Sequence, residues 1–470
     1  METHLSPTPV ASFRDLSLWW DSLPENELTD RIRPPLGGDQ HCDVAIVGGG
    51  LTGLWTAYYL AVAQPGMSIT VLEREVAGFG ASGRNGGWCS ALFPVTGSRL
   101  DEVAGPGAGR AVQLAMNETV REVGRVAEAE GIDCRFAAGG TVMLARTPAQ
   151  WERMQAGFSP SAGHEATDSD LRLLGADEAR SMVGATNVLG GTFTPHCAAV
   201  DPARLTRGLA EVVERLGVTI CEQTTVQRIE AGMVVTDHGT VRAPTVVRAT
   251  EGYTGSITGL KRQVLPVYSL MIATEPLPES FWAEAGMDGR PTFADDRHMV
   301  IYGQRTADNR LAFGGRGAPY HFGSRIRREF DRNAKVHEKL HETLIELFPA
   351  VRDARITHRW GGALGISRDW FPSVGLDRAS GLAWAGGYVG DGLATTNLAG
   401  RTLRDLILGQ ETELTSLAWV NHRSPTWEPE PARFLGINAG LLLAGMADRA
   451  EGRRGRTTWH AGLLEQITGH

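Results

Sequence analysis

The stretch that decides the fold is Cys42-Asp-Val-Ala-Ile-Val-Gly-Gly-Gly-Leu-Thr-Gly53, an apolar run that ends among four glycines. The part up to Val47 has the length and composition of a buried strand, and Leu51 to Ala63 has those of a helix. A second apolar run, Ser68 to Leu72, follows at the distance expected for the next strand. The segment therefore predicts a strand–helix–strand unit of about thirty residues with glycines at its first turn.

Three of these glycines fit the spacing G-x-G-x-x-G. Gly48 allows a tight turn, Gly50 allows the backbone to approach a pyrophosphate, and Gly53 allows the helix to pack closely on the strand. The helix that begins with Leu51 and Thr52 would direct free N–H groups and its positive dipole end toward the phosphates. The motif predicts a dinucleotide site, and a tight turn without a ligand is the alternative that the spacing leaves open.

An acidic residue and a second glycine-rich loop follow the second strand. Glu73 lies twenty residues after Gly53, where a carboxylate can accept hydrogen bonds from a ribose, and Arg74 comes next. The loop Phe79-Gly-Ala-Ser-Gly-Arg-Asn-Gly-Gly87 then allows backbone amides to approach a long ligand. An NAD-linked dehydrogenase, which is the alternative, has no need of this loop, so the loop favours FAD. The predicted cofactor-binding residues within it are Ala81, Ser82, Gly83, Arg84, Asn85, Gly86 and Gly87.

The order of the remaining elements indicates the fold class. Strand-like runs recur near residues 218, 243 and 384, and between them lie a predicted hairpin (299–302 and 310–313) and a predicted helix (325–347). This order predicts a mixed α/β (α+β) fold, with a discontinuous Rossmann-like FAD-binding domain and an inserted antiparallel-sheet substrate domain. The predicted division is an N-terminal arm at 1–40, an FAD-binding domain at 41–100, 200–260 and 355–410, a substrate domain at 101–199 and 261–354, and a C-terminal tail at 411–470.

These motifs together resemble the D-amino-acid-oxidase-like superfamily of FAD-dependent oxidoreductases. Besides the loop at 79–87, the segments at 245–255 and 386–396 look like the superfamily's strand-and-turn near the cofactor and its C-terminal flavin segment. The likeness runs from about Trp19 to Trp427. Within the superfamily, the stretches at 81–87, 360–362 and 419–431 are similar to the branch of gamma-glutamylputrescine oxidoreductases and aminophosphonate oxidoreductases.

The resemblance implies FAD that is held without a covalent bond. Some relatives attach the flavin through a histidine in the loop where this chain has Arg84, or through a late cysteine, and no cysteine follows Cys221 here. Amides that open the helix at Leu393 would face the flavin edge on which negative charge develops. The further cofactor-binding residues that the resemblance implies are Val226, Thr250, Gly387, Gly390, Gly392, Leu393, Ala394 and Thr395.

The resemblance also implies the chemistry, which is hydride transfer to FAD from a C–N bond of a small amine, followed by hydrolysis of the imine to an aldehyde and an amine. Tyr302, His321 and Trp360 are the candidate catalytic residues, and plain packing is the alternative role of each. Ala312 stands where sarcosine oxidases place a lysine that helps oxygen to react. The electron acceptor is therefore O2 or an unknown partner.

The substrate stays open at this stage. Relatives that act on α-amino acids clamp the carboxylate with a basic residue, and the matching positions here are Leu364 and Ala394. An amine with a more distant polar group fits better, and Arg316 or Arg368 could bind a distal acid. Two alternatives remain, namely oxidation of an aminophosphonate or of a secondary metabolite's amine, and a non-catalytic FAD-binding subunit that transfers electrons.

Composition argues against several classes of partner. The 470 residues carry a net charge of -8, a pI of about 5.9 and only three lysines, so no nucleic-acid partner is expected. The five cysteines lack a metal-binding spacing, so no metal is expected. No apolar stretch reaches the ~18 residues of a membrane helix, and the N-terminus lacks the pattern of a signal peptide. We therefore expect no membrane insertion and a cytoplasmic location, and the sequence indicates no oligomeric state.

Overall fold

The computed structural model describes residues 13–26, 32–158 and 170–454, and they form two large β-sheets with helices packed on them. Each sheet has its own hydrophobic core. Val44, Ile46 and Leu54 belong to the core of the six-stranded sheet, and Phe293 and Phe313 to that of the eight-stranded sheet. The mixed α/β class predicted from the sequence is confirmed.

The strands and helices have the following bounds. The strands are β1 Gln40–His41, β2 Val44–Val47, β3 Ile69–Leu72, β4 Trp88–Ser90, β5 Thr141–Ala145, β6 Arg172–Gly175, β7 Gly190–Thr194, β8 Cys197–Ala199, β9 Thr219–Cys221, β10 Val226–Glu230, β11 Met233–Thr236, β12 Thr240–Arg242, β13 Thr245–Arg248, β14 Leu265–Thr274, β15 Thr292–Asp295, β16 Ile301–Arg305, β17 Leu311–Gly315, β18 Ile356–Ile366, β19 Ser373–Asp377 and β20 Leu382–Gly386. The α-helices are α1 Leu18–Asp21, α2 Leu51–Ala63, α3 Gly97–Ala104, α4 Ala108–Ala129, α5 Pro148–Gly157, α6 Ala176–Met182, α7 Pro202–Arg215, α8 Glu279–Ala285, α9 Ala334–Leu347, α10 Gly392–Leu408 and α11 Ala432–Arg454.

The six-stranded sheet has the order β19-β20-β13-β2-β3-β9, and every pair in it is parallel except β19–β20. Val47, at the end of β2, is in register with Leu72 of β3 and with Arg248 of β13. The segments that leave these three strands therefore start at the same edge of the sheet. In parallel sheets of this type that edge is where ligands bind.

The eight-stranded sheet has the order β18-β14-β17-β16-β15-β5-β7-β6, and its pairs are antiparallel except β5–β15. The predicted hairpin is present as β16 and β17. The chain enters this sheet from the other one several times, which explains why strands of both kinds alternate along the sequence. The domain boundaries stay a prediction, and β18 at 356–366 pairs with β14 in this larger sheet.

The long helix predicted from 325 to 347 is shorter than expected, because α9 begins at Ala334. Asn333 ends the preceding segment, and its side chain accepts a hydrogen bond from the N–H of Val336, which caps the helix. Residues Arg328–Asp331 form a separate 3-10 turn. That turn is held by Asp331, which pairs with Arg84 in the glycine-rich loop at 2.7 Å.

Helix α11 packs against the eight-stranded sheet next to the segment that precedes β16. The carboxylate of Asp448 accepts hydrogen bonds from the N–H groups of His298 and Met299 at 2.8 and 2.9 Å. Glu451 accepts from the His298 ring at 3.0 Å and pairs with Arg153 at 2.8 Å. Within the described ranges, no helix combines the length and the apolar composition that a membrane crossing requires.

Candidate active site

A cavity of about 370 Å³ is lined by residues from both large sheets. One wall comes from the edge of the six-stranded sheet at the ends of β2, β3 and β13. The opposite wall comes from strands of the eight-stranded sheet and includes Met143, Ala294 and Ser269. Most residues predicted from the sequence to bind the cofactor or the substrate line this cavity: Gly48, Gly50, Leu51, Thr52, Glu73, Arg74, Ala81, Ser82, Arg84, Asn85, Gly86, Val226, Thr250, Tyr302, Gly390, Gly392 and Leu393.

The other predicted residues are not among those that line the cavity. A Cβ on Gly83 would be 2.5 Å from the carbonyl oxygen of Gly78, so this glycine is needed for packing inside its loop. Gly387 has a φ of +77°, which favours glycine in the turn after β20. The predicted cofactor-binding and catalytic residues outside the lining are Gly53, Gly83, Gly87, Gly387, Ala394, Thr395, His321 and Trp360, and Arg368, named for a distal acid, is also outside it.

The first βα turn has the geometry that its glycines predict. Gly48 has a φ of +112°, and a Cβ there would lie 2.5 Å from the carbonyl oxygen of Ala249. A Cβ on Gly50 would lie 2.8 Å from Oγ of Ser82, and one on Gly53 would overlap the carbonyl oxygen of Gly48. The turn therefore brings the start of α2 close to the glycine-rich loop. A side chain at any of these three glycines would collide with neighbouring atoms.

The polar groups around this turn suit a dinucleotide. The N–H of Leu51, at the start of α2, points at Ser82 and donates to its Oγ at 2.9 Å. Glu73 accepts hydrogen bonds from the N–H of Gly49 at 2.8 Å and from that of Glu75 at 3.0 Å. Burial raises the pKa of Glu73, and these N–H groups oppose the shift. A helix N-terminus for phosphates and a carboxylate for ribose hydroxyls thus lie side by side.

The glycine-rich loop is held in place by groups that are distant in the sequence. The indole N–H of Trp19 donates to the carbonyl oxygen of Asn85 at 2.8 Å, and that of Trp360 donates to the carbonyl oxygen of Arg84 at 2.9 Å. The Arg84 guanidinium pairs with Asp331 at 2.7 Å and donates to the Tyr253 hydroxyl at 3.1 Å. The loop is therefore held by contacts with the protein itself, and Trp360, which is outside the cavity lining, provides one of them.

Glu251 joins three segments of the cavity wall, and the sequence analysis missed it. Its carboxylate accepts hydrogen bonds from the N–H groups of Gly387 at 2.7 Å, Gly365 at 3.1 Å and Tyr388 at 3.3 Å. Its backbone has a φ of +43°, which is rare for a residue with a side chain. Burial raises the pKa of Glu251 to about 7, while the three N–H groups and Arg248 oppose the shift. A charged residue three positions after the end of β13 was the only signal in the sequence.

The raised pKa of Glu251 predicts a pH-dependent stability. The folded-state pKa of about 7 lies above the ordinary value of 4.5, so ionisation costs more in the folded protein than in the unfolded chain. The stabilisation from the protonated form is complete below about pH 4.5 and is lost as the pH rises through about 7. We expect the melting temperature of wild type, relative to that of Glu251→Gln, to fall between pH 5 and pH 8. A difference between the two melting temperatures that stays constant over this range would contradict the assignment.

The wall opposite the nucleotide motif is mostly apolar, with a few polar groups. The Tyr302 ring fits between Gly86 and Gly314, where a Cβ on either would lie 2.6 Å from the ring. Its hydroxyl shares a hydrogen bond with Ser269 Oγ at 2.8 Å, and Trp88 meets the ring edge-on. Trp88, Leu92, Met143 and Val300 line the same region, although the sequence analysis did not select them.

His321, predicted as a catalytic candidate, stacks on Phe330 with 3.4 Å between ring centroids and meets the edge of the Tyr268 ring. Burial lowers the pKa of His321. Because the 3-10 turn precedes α9, it brings Phe330 against the histidine and keeps the imidazole out of the cavity lining. The structure thus brings Tyr302 into the cavity, places Trp360 behind the glycine-rich loop and leaves His321 in a packing position.

The fold and the cavity define a class of protein, namely an oxidoreductase in which a dinucleotide-binding parallel sheet meets an antiparallel sheet over one site. Residues 43–406 match the model of the family DAO, FAD dependent oxidoreductase. The chain therefore belongs to the DAO family of FAD-dependent oxidoreductases, as the motifs predicted. FAD is its cofactor, and no cysteine or histidine is among the residues that line the cavity in the described part of the chain.

Comparison with individual proteins agrees with this placement. The chain is 30% identical to Probable oxidoreductase OrdL of Rhizobium meliloti (strain 1021), covering 85% of this chain and 90% of the relative. It is 29% identical to gamma-glutamylputrescine oxidoreductase of Escherichia coli (strain K12), covering 81% and 87%. The crystal structure of glycine oxidase from Geobacillus kaustophilus shares the fold, with a TM-score of 0.67 and 22% identity over 81% of this chain and 99% of that one. The chain is an FAD-dependent oxidoreductase of a family whose members act on amine or amino-acid C–N bonds.

Proposed function

We propose that this enzyme oxidises a C–N bond of a small amine by hydride transfer to FAD, and that the imine product hydrolyses to an aldehyde and an amine. One observation carries the proposal: a single cavity joins the nucleotide-binding turn at Gly48–Gly53 to an apolar wall around Tyr302 and Met143. FAD and a small substrate can therefore meet in one cavity. The likeness to gamma-glutamylputrescine oxidoreductase supports an amine as the substrate class.

The residues that would hold FAD lie along the first wall. The N–H groups at the start of α2 suit the pyrophosphate, and the Glu73 carboxylate suits a ribose. Val226 and Thr225 line the cavity where β10 begins, beside Glu73, and suit the adenine end. At the other end, α10 begins at Gly392, and its first amides suit the flavin ring edge on which negative charge develops.

FAD, when bound, supplies the acceptor for the hydride. The protein's own contribution is to bind the amine in its neutral form, since a protonated nitrogen does not release a hydride from the neighbouring carbon. The apolar part of the lining, which includes the buried side chains of Met271 and Ala294, disfavours the charged ammonium by desolvation. Tyr302 can orient the amine through its hydroxyl, which Ser269 holds at 2.8 Å. Trp360 is a positioning residue in this scheme, and His321 has no part in it.

The electron acceptor after substrate oxidation is a separate question. Ala312 is fully buried on β17 in a cluster with Trp360 and Met271, and no lysine lines the cavity within the described ranges. The side chain that sarcosine oxidases use to help oxygen react has no counterpart there. The electron acceptor is therefore either O2 or another molecule. The cytoplasmic location stays a prediction.

An anaerobic titration of the purified protein tests the proposal. The flavin absorbance band is followed while gamma-glutamylputrescine, putrescine, 2-aminoethylphosphonate, sarcosine and glycine are added in separate experiments. We expect one class of amine to bleach the band and to yield one molecule of aldehyde for each flavin that is reduced. Recovery of the band on admitting air would identify an oxidase, and bleaching without recovery would identify a dehydrogenase with another acceptor. A flavin band that no amine bleaches would contradict the proposal.

A further inference from the structure

Three acidic residues line the cavity among the residues that the structure describes, and they differ in their hydrogen bonds. Glu73 accepts hydrogen bonds from two backbone N–H groups, and Glu251 accepts them from three. The carboxyl group of Asp391 accepts no hydrogen bond and forms no ion pair within the described ranges, although this residue is the N-cap of α10. Asp391 therefore has, at the cavity wall, a carboxyl group whose oxygens are free to bind a ligand.

The other ionisable residues of the lining have partners in the protein. Their hydrogen bonds and ion pairs join Arg74 to Glu75, Arg84 to Asp331, Tyr253 to Arg84, Tyr302 to Ser269, Arg316 to Val389 and Tyr388 to Thr52. Arg316 is the charged group that acts on Asp391, and Tyr302 in turn faces Arg316. Polar groups inside proteins are normally paired. The unpaired carboxyl of Asp391 is therefore the ionisable group of this lining that is best able to contact a ligand.

Asp391 lies where the flavin end of the site meets the larger sheet. It directly precedes Gly392, the first residue of α10, whose first amides suit the flavin ring edge. A Cβ on the neighbouring Gly390 would lie 3.6 Å from Nη2 of Arg316, which follows β17, and 3.6 Å from Cδ1 of Leu364 on β18. The turn that carries Asp391 therefore lies against the wall that was assigned above to the substrate.

A substrate amine reaches the enzyme mainly as an ammonium ion, because aliphatic amines have a pKa of about 10. Its proton must be removed before hydride can leave the neighbouring carbon. In an apolar cavity an ammonium and a carboxylate are both poorly solvated, and a proton transfer that neutralises both removes this cost. Burial raises the pKa of Asp391 to about 7, while Arg316 opposes the shift, and a carboxylate of higher pKa is the better base.

The charge on Asp391 also affects the flavin end of the site. A carboxylate beside the first amides of α10 would oppose the negative charge that develops on the flavin edge, whereas a protonated carboxyl would not. Proton transfer before the hydride leaves therefore removes two obstacles, the positive charge on the amine and the negative charge on Asp391.

From these observations we propose that Asp391 is a catalytic residue whose carboxylate accepts a proton from the substrate ammonium as the amine binds. One N–H bond of the ammonium breaks and one O–H bond forms on Asp391, so the step moves a proton and no electrons. The inference rests on the proposed amine oxidation for its role in turnover. Amine binding with proton transfer to Asp391 does not require oxidation and can be measured separately.

Amines without a hydrogen on the carbon next to nitrogen test the inference, since they cannot lose a hydride from that carbon. The probes are tert-butylamine and 2-aminoisobutyrate, titrated into the flavin-loaded enzyme from about pH 6 to about pH 10 while the flavin absorbance is followed. Wild type should bind at least one probe best between about pH 7 and about pH 10, where Asp391 is ionised and the amine is protonated. Asp391→Asn can bind only the neutral amine. Its affinity should be about 100-fold below that of wild type at pH 8 and within about five-fold at pH 10.

Infrared difference spectra show where the proton lies in the complex. Probe binding to wild type should produce the C=O stretching band of a protonated carboxyl group, and binding to Asp391→Asn should not. Asp391→Glu should keep both the band and the pH optimum. Asp369→Asn is the matched control, because Asp369 bonds to the His422 ring at 2.7 Å and does not line the cavity. It should bind both probes as wild type does.

A ratio of wild-type to Asp391→Asn affinity that stays constant from pH 8 to pH 10 would indicate a structural role and overturn the inference. Probe binding to wild type without the carboxyl band would overturn it too, as would failure of both probes to bind. If the amine oxidation were wrong, no amine would bleach the flavin in the anaerobic titration. Probe binding would still depend on Asp391 with the same pH profile.

Discussion

Gly48→Ala should give a protein that folds but purifies with little or no FAD, with an affinity for the cofactor at least about 100-fold below that of wild type. The reason is a double constraint at this position. Gly48 has a φ of +112°, and an added Cβ would lie 2.5 Å from the carbonyl oxygen of Ala249. The backbone of the turn must therefore move away from β13, which displaces the N–H groups at the start of α2. The ratio of flavin to protein absorbance, followed by titration of the apoprotein with FAD, measures the effect.

Gly66→Ala separates this effect from simple backbone strain. Gly66 has a φ of +94°, and a Cβ there would meet no atom within 4 Å. The control variant therefore carries a similar conformational cost in the turn before β3, without a collision and away from the cavity. It should lose some stability and keep its full complement of FAD. A Gly48→Ala protein that is as yellow as Gly66→Ala would show that the turn does not hold the cofactor.

The parts of the site that follow from local sequence were predictable. The turn at Gly48–Gly53, the acidic residue Glu73 and the loop at 79–87 each depend on neighbours within a few residues, and all three line the cavity or support its lining. Backbone requirements of this kind leave a direct mark on the sequence, because only glycine tolerates the collisions and positive φ values that the turns impose.

The contacts that organise the cavity could not be predicted in the same way. Glu251 reaches Gly365 and Gly387, which are 114 and 136 residues away, and Arg84 reaches Asp331 across 247 residues. No periodicity or spacing relates such partners, since the pairing depends on how the two sheets meet. A buried carboxylate that accepts three backbone hydrogen bonds is visible only once the fold is known.

The placement of His321 shows how one boundary error affects a site. A helix over 325–347 was expected, but the helix begins at Ala334, after the turn at Arg328–Asp331. That turn places Phe330 on the imidazole, so a residue type that is often catalytic has a packing partner instead. Arg316, only five residues earlier, faces the cavity. Residue type alone therefore could not show that the imidazole is packed against a ring while the guanidinium lines the cavity.

Glu222→Gln should lower the free energy of unfolding by about 3–5 kcal/mol, the cost of leaving a buried ion pair without one partner. Glu222 is completely buried, and its carboxylate accepts hydrogen bonds from the N–H of Arg33 at 2.8 Å and its Nη1 at 3.0 Å. It also accepts from the N–H of Ala77 at 2.8 Å and from Arg207 Nη1 at 3.1 Å. An amide of the same shape offers one acceptor oxygen and turns an NH2 group toward these donors. Urea unfolding followed by circular dichroism measures the loss.

The control for this prediction is Glu102→Gln, which breaks an ion pair with Arg99 of similar length, 2.8 Å, between side chains that are 63% and 62% exposed. Its cost should stay below about 1 kcal/mol, because water replaces the lost partner. The contrast tests whether burial, and not the ion pair as such, sets the contribution of Glu222 to the free energy of unfolding.

Ala77 lies in the segment that leads to the glycine-rich loop, and so flavin release should coincide with unfolding in Glu222→Gln. Flavin release well before unfolding would instead show that Glu222 holds this loop locally. A loss of unfolding free energy in Glu222→Gln as small as that in Glu102→Gln would show that the buried cluster around Arg33 is not a main source of stability.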